Sequence, residues 1–417
     1  MNFIKSLPGF TRTTGSALAT LLAAGSIGAC SAGSVDENTD AFGEAVVSVS
    51  FSHPISGLSA AELVRFNEGL DEFLAAEEPD EGLGPIFNED SCGACHSVGG
   101  PGGGSTRVET RFGNTVNGVF DPLTSKGGSL LQDHSIGAFG APRCQWIGFD
   151  AIPQNANTSA QRRTTPLFGL GLVDATPDST FTALAATERA RNPATAGRTN
   201  LVTNLTNGAT VVGRFGWKSQ VPTLFQFSGD AYLNEMGITS PQFPVENCPN
   251  GNCSTMGACN PLPTLNDDGA AVRAFNDFMR MLAAPPRGTI TAQVTAGDGV
   301  FNSIGCADCH TATLTSGSTD IAALSNKTYH PYSDFLLHDM GTSGDGIGAM
   351  GRATTTEMRT APLWGLRGIE TFLHGGNAVQ ISEAIERHRG QANAAATRFN
   401  NLNSTQRGQI LAFLNSL

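Results

Sequence analysis

Charged residues are scarce in this chain of 417 residues: Asp, Glu, Lys and Arg together make up 15% of it. Positive charge is the scarcer sign, because 25 Lys and Arg face 37 Asp and Glu, which gives a formal net charge of −12 at pH 7. Nucleic acid and anionic lipid surfaces are therefore poor partners, since both are negatively charged themselves. The balance favours a small basic protein as partner.

A long apolar run is also missing, because the stretch at residues 17–29 is shorter than the about 20 residues that a membrane-spanning helix needs. It follows Lys5 and Arg12 and ends just before Cys30, which is the order of a bacterial lipoprotein signal. We predict that residues 1–30 direct export to the periplasm and that lipid on Cys30 is the only link to the membrane. Ordinary cleavage that leaves Cys30 free is the alternative. Residues 31–55 are predicted to be a flexible tether.

A five-residue motif occurs twice, as Cys-Gly-Ala-Cys-His at residues 92–96 and Cys-Ala-Asp-Cys-His at residues 306–310. Two thiols three residues apart can add to the vinyl groups of one haem, and the next residue supplies an imidazole to its iron. Nothing nearby completes a zinc spacing, and a thioredoxin-like site does not require the His. We therefore predict two covalently bound c-type haems. The residues predicted to hold them are Cys92, Cys95, His96, Cys306, Cys309 and His310.

Four cysteines remain after these assignments, namely Cys144, Cys248, Cys253 and Cys259. An even number in an oxidising compartment predicts two disulfides, with three pairings that the sequence does not separate. Three of the four stand close together among Asn, Gly and Pro, which indicates a stapled surface loop. A metal cluster is the alternative, but no His stands among them.

The chain repeats itself around the two motifs. A Phe-Asn pair precedes each first Cys, at residues 87–88 and 301–302, and a similar stretch of eight residues follows each motif, at residues 163–170 and 359–366. The shared order of three features indicates a duplication.

Helical signals precede the first motif. Ser59 and Glu62 resemble a capping box, and Leu63, Phe66, Leu70 and Phe73 recur at helical spacing.

Frequent Gly and sparse charge suit a loop-rich fold around a rigid apolar cofactor. We expect a mainly α fold of two cytochrome-c-like haem domains, with insertions and a few short strands in the N-terminal half. The expected domains are residues 56–285 and 286–417.

The chain resembles the di-haem oxidoreductase family of peroxidase-like proteins, sometimes labelled thiol oxidoreductases. This family is similar to bacterial di-haem cytochrome c peroxidases and to their tryptophan-tryptophylquinone-forming relatives. The resemblance runs from about residue 55 to the end of the chain. Besides the haem motifs, the stretches that carry it are residues 163–178, 213–218, 234–239, 332–341, 359–366 and 372–376.

The resemblance implies an exported oxidoreductase. A small redox protein, such as a cytochrome or a cupredoxin-like protein, is expected to donate electrons to the C-terminal haem. Peroxide or another small oxidant is expected to react at the N-terminal haem. Related peroxidases hold calcium between their domains, so calcium is a candidate further cofactor, although no Asp-rich loop demands it.

The sixth position of each iron separates electron transfer from peroxide chemistry. His96 and His310 are the predicted proximal ligands. For the second haem the resemblance points to His388, because related peroxidases place that ligand fourteen residues after a His that corresponds to His374. A cationic helix end is the alternative role for His388.

Three further side chains are weaker ligand candidates. His338 and Met340 are rivals for the second haem, and packing beside the haem is their alternative role. His134 is a candidate for capping the first haem, and a solvated loop position is its alternative. His53 and His330 receive no role.

Peroxide cleavage needs an acid/base that takes a proton from one oxygen and returns it to the other. The resemblance implies this role for Glu235, whose alternative is a surface carboxylate in a turn. Arg214 is a candidate for stabilising negative charge, with propionate binding as its alternative. A tryptophan is a candidate for carrying electrons between the haems, with packing in the core as the alternative role. Trp146, Trp217 and Trp364 are the only tryptophans.

Two other functions stay open at this point. An electron relay predicts two haems with both axial positions filled and no response to peroxide. A di-haem oxygenase or protein-modifying enzyme predicts a separate substrate and a bound oxygen species.

Overall fold

The computed structural model describes residues 50–138, 140, 144, 148–255, 259 and 265–417. The predicted signal, the lipid-bearing Cys30, most of the predicted tether and Trp146 lie outside the described residues. Within them, no helix has both the length and the apolar character that crossing a bilayer requires.

The described residues form a mainly helical, loop-rich fold, as predicted. The α-helices are α1 Ala60–Leu74, α2 Cys92–Cys95, α3 Leu170–Asp174, α4 Asp178–Arg191, α5 Leu224–Met236, α6 Ala270–Met281, α7 Ala292–Ser303, α8 Ile381–Glu386, α9 Asn393–Asn400 and α10 Ser404–Leu414. Short 3₁₀ turns lie at Thr124–Lys126, Pro249–Gly251, Cys253–Thr255, Cys306–Asp308, Gly341–Ser343, Leu366–Gly368 and Gly390–Ala392.

The strands are short and pair in small antiparallel groups. They are β1 Ile86–Phe87, β2 Val108–Val116, β3 Val119–Asp121, β4 His134–Ser135, β5 Thr158–Arg163, β6 Asn200–Thr203, β7 Thr210–Gly213, β8 Leu314–Thr315, β9 Thr328–Tyr329, β10 Leu337–Asp339 and β11 Glu357–Arg359. The pairs are β1–β4, β6–β7, β8–β9 and β10–β11, and β2 lies between β3 and β5. Short strands were expected in the N-terminal half, and β8 to β11 in the C-terminal half were not predicted.

Helix α1 begins where the sequence predicts. Ser59 and Glu62 form a reciprocal capping box, which satisfies backbone N–H groups that the first turn leaves unpaired. Phe66 and Phe73 are buried against α6. The helices approach closely at Gly69, where a Cβ atom would lie 2.3 Å from the carbonyl oxygen of Ala274.

The C-terminal half repeats this arrangement with α7 and α10. Thr291 caps the start of α7, and Asn403 forms a capping box with Gln406 at the start of α10. The close approach occurs at Gly297, where a Cβ atom would lie 2.0 Å from the carbonyl oxygen of Gln409. Each half thus pairs the helix before its haem motif with a later helix across a glycine, as the predicted duplication implies.

Replacing Gly297 with alanine is expected to destabilise the fold by about 1–3 kcal/mol, because the methyl group must push α7 away from α10. Gly299 of the same helix is a matched control, since nothing lies within 4 Å of the Cβ position there. Alanine at residue 299 should stabilise the protein by a few tenths to about 1 kcal/mol, because it favours the helix. Thermal or urea unfolding of both variants measures the difference, and equal effects would contradict the helix contact.

Two hydrophobic clusters form the interior. The larger one gathers α1, α3, α5 and α6 and also takes in Leu314, Tyr329 and Trp364 from beyond the predicted boundary. The smaller one gathers α7 to α10 around Phe301 and Phe413. The division into domains at residue 285 stays a prediction.

Two disulfides are present, which confirms the prediction of their number. Cys248 pairs with Cys253 and closes a loop of a few residues. Cys144 pairs with Cys259, and their Cα atoms are 4.1 Å apart. The remaining four cysteines of the described residues are free, and they are those of the two haem motifs.

Candidate functional site

Each CxxCH motif lies on a short helical turn beside its own cavity. The N-terminal cavity, of about 190 Å³, is bordered by Cys92, Cys95 and His96. The C-terminal cavity, of about 580 Å³, is bordered by residues 306 and 308–310, which include both cysteines and the histidine of the second motif. The structure therefore brings each predicted set of attachment residues together at one concave site.

The two motif histidines are oriented in the same way. His96 Nδ1 lies 3.0 Å from the carbonyl oxygen of Gly103, and His310 Nδ1 lies 2.9 Å from the carbonyl oxygen of Tyr332. A carbonyl accepts a proton, so each Nδ1 donates and leaves Nε2 as the free lone pair, as in metal-ligating histidines. Burial lowers the pKa of both rings to about 4, which keeps them neutral. These residues fit a haem iron.

The C-terminal cavity contains a second imidazole in this orientation. His388 follows α8, and its Nδ1 lies 2.7 Å from the carbonyl oxygen of Ala384, which again leaves Nε2 free. Burial lowers its pKa, so this ring is also neutral. His388 and His310 border the same cavity. This geometry suits the predicted sixth ligand.

The rival His338 is held differently. Its Nε2 lies 2.9 Å from Asp334 Oδ2, and its Nδ1 lies 3.4 Å from Cys309 Sγ. Burial opposes charge on this ring, but the Asp334 carboxylate holds its pKa well above the usual range. Both ring nitrogens are therefore engaged, and ligation by His338 requires the break of a buried ion pair. Met340 also borders the cavity. The geometry favours His388 over His338.

The N-terminal cavity has a different chemistry. Glu235, near the end of α5, borders it and accepts a 2.7 Å hydrogen bond from Asn88 Nδ2. The carbonyl oxygen of Glu235 accepts from the backbone N–H of Asn88 at 2.7 Å, which fixes the helix end beside the motif. Burial, with a further contribution from the Glu109 carboxylate, raises the pKa of Glu235 to about 8. Glu235 is therefore protonated at neutral pH.

Glu109 and Arg111, on the same face of β2, complete this pocket. Arg111 donates from Nε and Nη2 to the two Glu109 oxygens at 2.9 and 3.2 Å. Burial opposes ionisation of Glu109, but this bidentate pairing wins and lowers its pKa. Glu109 and Glu235 are also hydrogen-bonded to each other, so the pair holds one proton on Glu235.

Sequence reasoning missed Glu109 and Arg111. The available signal was two charges at alternate positions of a predicted strand just after a haem motif. Pairing β2 with β5 sets their position, with Glu109 opposite Arg162 in the register. No spacing rule links residue 109 to residue 235, because the contact is made only by the fold.

Arg214 is not brought to Glu235. It is buried elsewhere, where it pairs with Asp178 and donates to backbone carbonyl groups, including that of Val173 at 3.3 Å. It borders neither haem cavity. This position corrects the expectation of a catalytic Arg214, and Arg111 is the guanidinium beside Glu235.

His134 borders neither cavity. Its ring stacks on Phe87 at 5.5 Å, and its Nδ1 lies 2.6 Å from Asp133 Oδ1. Among the described residues that border the N-terminal cavity, His96 is the only histidine, and Met236 and Met279 are the only thioethers. The C-terminal cavity is bordered by His338, His374 and His388 besides His310.

Trp217 borders both cavities. Its indole Nε1 donates a 2.9 Å hydrogen bond to the carbonyl oxygen of Arg163, and the side chain is 8% exposed. Trp364 instead packs against Tyr329 with ring centroids 5.9 Å apart. Of the two described tryptophans, Trp217 is the one placed between the cavities.

No cluster of carboxylates that would suit calcium converges among the described residues. The one group of three metal-ligating side chains that converges there is Cys309, Asp334 and His338. It contains a single carboxylate, whereas Ca²⁺ takes six to eight oxygen ligands. These residues do not fit calcium, and no role is derived for it.

Two cavities, each bordered by one CxxCH motif, are the arrangement expected of a di-haem oxidoreductase. The family model described as "Di-haem oxidoreductase, putative peroxidase" matches residues 152–417. This match covers more than half of the chain, and the chain therefore belongs to that family. The predicted resemblance is confirmed, and the protein is an oxidoreductase of the di-haem peroxidase type.

Comparison with solved structures finds weak similarities. The diheme peroxidase BthA from Burkholderia thailandensis is 15% identical, with 85% of this chain and 86% of that chain covered and a TM-score of 0.37. A MauG-like protein associated with microbial copper homeostasis is 14% identical, with 60% and 89% covered and a TM-score of 0.30. Hydrazine synthase from Kuenenia stuttgartiensis is 16% identical, with a TM-score of 0.27. The match to hydrazine synthase covers 42% of this chain and 65% of the hydrazine synthase chain. No curated protein matches this chain.

Proposed function

We propose that this protein is an exported di-haem c-type oxidoreductase that reduces peroxide with electrons from a small redox protein. One observation carries the proposal, which is the contrast between the two cavities. The C-terminal cavity pairs His310 with a second free imidazole on His388. The N-terminal cavity joins His96 to a buried, proton-sharing carboxyl pair.

The motif cysteines would hold the two haems through thioether bonds, and His96 and His310 would ligate the irons. When bound, the haem at residues 306–310 would supply a site for electron entry, and the haem at residues 92–96 would supply an iron for peroxide reduction. Trp217 is the aromatic side chain that borders both cavities, and we assign electron passage between them to it.

Glu235 and Glu109 manage the protons. Reduction of one peroxide molecule to two waters consumes two protons and two electrons. The ionised member of the pair takes the proton of the inner oxygen, and the protonated member delivers one to the outer oxygen, which leaves as water. The inner oxygen becomes the second water once two electrons from the donor protein and two protons from solvent have been taken up. Arg111, held by Glu109, places a fixed positive charge where negative charge develops on the leaving oxygen.

An electron relay is the competing function. It is favoured by Met236 and Met279, whose thioethers border the N-terminal cavity and are sixth-ligand candidates for its iron. A relay has no use for a proton-sharing carboxyl pair in the same cavity. We therefore place the relay second.

The acidic net charge supports a basic donor protein. We propose a small basic cytochrome or cupredoxin-like protein as electron donor in the periplasm, with the enzyme anchored through lipid on Cys30. Membrane contact is then limited to the lipid, and nucleic acid is not a partner.

Purified holoprotein is expected to oxidise a reduced basic cytochrome only when peroxide is added. The rate constant for donor oxidation should fall as salt is raised from about 0.01 to 0.15 M, because screening weakens the attraction between opposite charges. Stopped-flow absorbance of the donor measures both effects. Donor oxidation that is independent of peroxide would support the relay instead.

A further inference from the structure

Arg163 and Arg359, the first residues of the repeated stretches, take no part in the proposed peroxide chemistry. Both are buried, with 8% and 6% of the residue exposed. Arg163 borders both haem cavities, and Arg359 borders the C-terminal one. The guanidinium carbon of Arg163 lies 5.9 Å from the Trp217 ring, and the backbone N–H of Arg359 donates to the Trp217 carbonyl at 2.8 Å. The duplication thus places one arginine from each half beside Trp217.

The hydrogen bonds of these two side chains go to neutral acceptors. Arg163 Nε donates to the carbonyl oxygen of Leu373 at 3.1 Å. Arg359 Nε donates to the carbonyl oxygen of Gly216 at 2.6 Å, and its Nη1 lies 3.4 Å from that of Thr360. A guanidinium has five N–H donors, so most donors of each arginine stay available to a group in the cavity.

Other buried cations of the described residues have carboxylate partners. Arg162 and Lys218 share Asp345, and Arg214 pairs with Asp178. Arg163 and Arg359 occur in none of the ion pairs of the described residues. Burial lowers the pKa of each to about 10. The Asp334 carboxylate partly offsets the effect of burial on Arg359, but Asp334 is already paired with His338. Arg163 has no such carboxylate among the described residues. Because a buried charge without its own counter-ion is costly, both guanidinium groups favour an anion in the cavity.

We propose that Arg163 and Arg359 bind the propionate carboxylates of the haems, with Arg163 serving both haems and Arg359 the C-terminal one. Guanidinium and carboxylate match in a bidentate, charge-assisted pair. The haem propionates then supply the missing negative charge, and the two cavities share one cationic wall at Trp217. This inference rests on the haem attachment in the proposed function and is independent of peroxide turnover.

A positive charge beside a haem favours the reduced iron, which carries one charge fewer. Removing it should lower the ratio of reduced to oxidised haem at a fixed potential about tenfold, as expected for unit charges several ångströms apart in a partly buried site. For a one-electron couple this is about 59 mV. Arg163→Gln should lower the potentials of both haems, whereas Arg359→Gln should lower that of the C-terminal haem.

Spectroelectrochemical titration of the holoproteins tests the proposal. Arg189→Gln is a matched control, because Arg189 is exposed on α4 and borders neither cavity, and its potentials should equal those of the wild type. Arg163→Lys keeps the charge and should retain most of the potential. Unchanged potentials in both glutamine variants with full haem content would overturn the proposal. A protein purified without covalent haem would overturn it together with the haem attachment.

A second measurement uses the wild-type protein and so does not depend on the stability of the variants. In resonance Raman spectra of the wild-type protein, the propionate bending modes should have the frequencies of hydrogen-bonded propionates, and they should shift in D₂O as the guanidinium hydrogens exchange. Modes typical of propionates free in water would overturn the proposal. Neither measurement depends on peroxide turnover. A di-haem protein without peroxidase activity can therefore still test the propionate proposal.

Discussion

Replacing Glu235 with glutamine is expected to slow peroxide turnover about 10²–10⁴-fold, which is the usual contribution of a positioned acid/base. Glutamine keeps the shape and the hydrogen bond to Asn88 but removes the proton shared with Glu109. Haem content and the spectra of the oxidised protein should stay unchanged. Steady-state peroxide consumption measures the effect.

Glu246→Gln is a matched control for this variant. Burial raises the pKa of Glu246 to about 8, as in Glu235, but Glu246 borders neither haem cavity. Its replacement should leave turnover within about twofold, as expected for a change outside the site. Equal rates for the Glu235 variant and the wild type would remove the carboxyl pair from the mechanism.

The carboxyl pair of Glu235 and Glu109 also determines how peroxide turnover depends on pH. Below about pH 8 Glu235 holds the shared proton, and above it both carboxyls are ionised and the acid is lost. Turnover should therefore fall as pH rises through about 8. Glu109→Gln should slow turnover, because it removes the ionised carboxyl that accepts the proton. It also removes the negative neighbour of Glu235, which lowers the pKa of Glu235 and should move the fall of the remaining turnover to lower pH.

Replacing His388 with methionine is expected to raise the potential of the C-terminal haem on the order of 0.1 V, within the about 0.8 V range that axial ligands span. A thioether donates less charge to the iron than an imidazole and so favours the reduced state. Redox titration followed by absorbance measures the shift.

Two other side chains of the same cavity serve as controls. His374→Met replaces a histidine that lies edge-on to Trp217, with ring centroids 6.2 Å apart, and should leave the potential nearly unchanged. A large shift in a His338 or Met340 variant, with none in His388→Met, would assign the sixth ligand to one of those residues instead.

The sequence predicted the features that depend on local patterns. The capping box at Ser59 begins α1, and the haem motifs alone were enough to locate both cavities. The His374 to His388 spacing pointed to a residue that borders the same cavity as His310, because that stretch includes a short, locally determined helix. The number of disulfides followed from the even number of cysteines left after the haem motifs and Cys30. Their pairing depends on distances between loops, which the sequence does not give.

The features that the sequence did not predict depend on long-range contacts. Glu109 and Glu235 border the same cavity only because the fold brings β2 and α5 to it. Arg214 and Trp217 stand three residues apart, yet the turn after β7 directs Trp217 to the cavities and Arg214 to Asp178. Strands β8 to β11 are two or three residues long, too short for a periodic pattern.

Low-temperature electron paramagnetic resonance of the purified protein, oxidised and then half-reduced, tests the central claim most directly. We predict a high-spin ferric signal from the N-terminal haem that changes when peroxide is added, together with a low-spin signal from the haem at His310 and His388. Two low-spin signals that never respond to peroxide would contradict the peroxidase function and leave the electron relay.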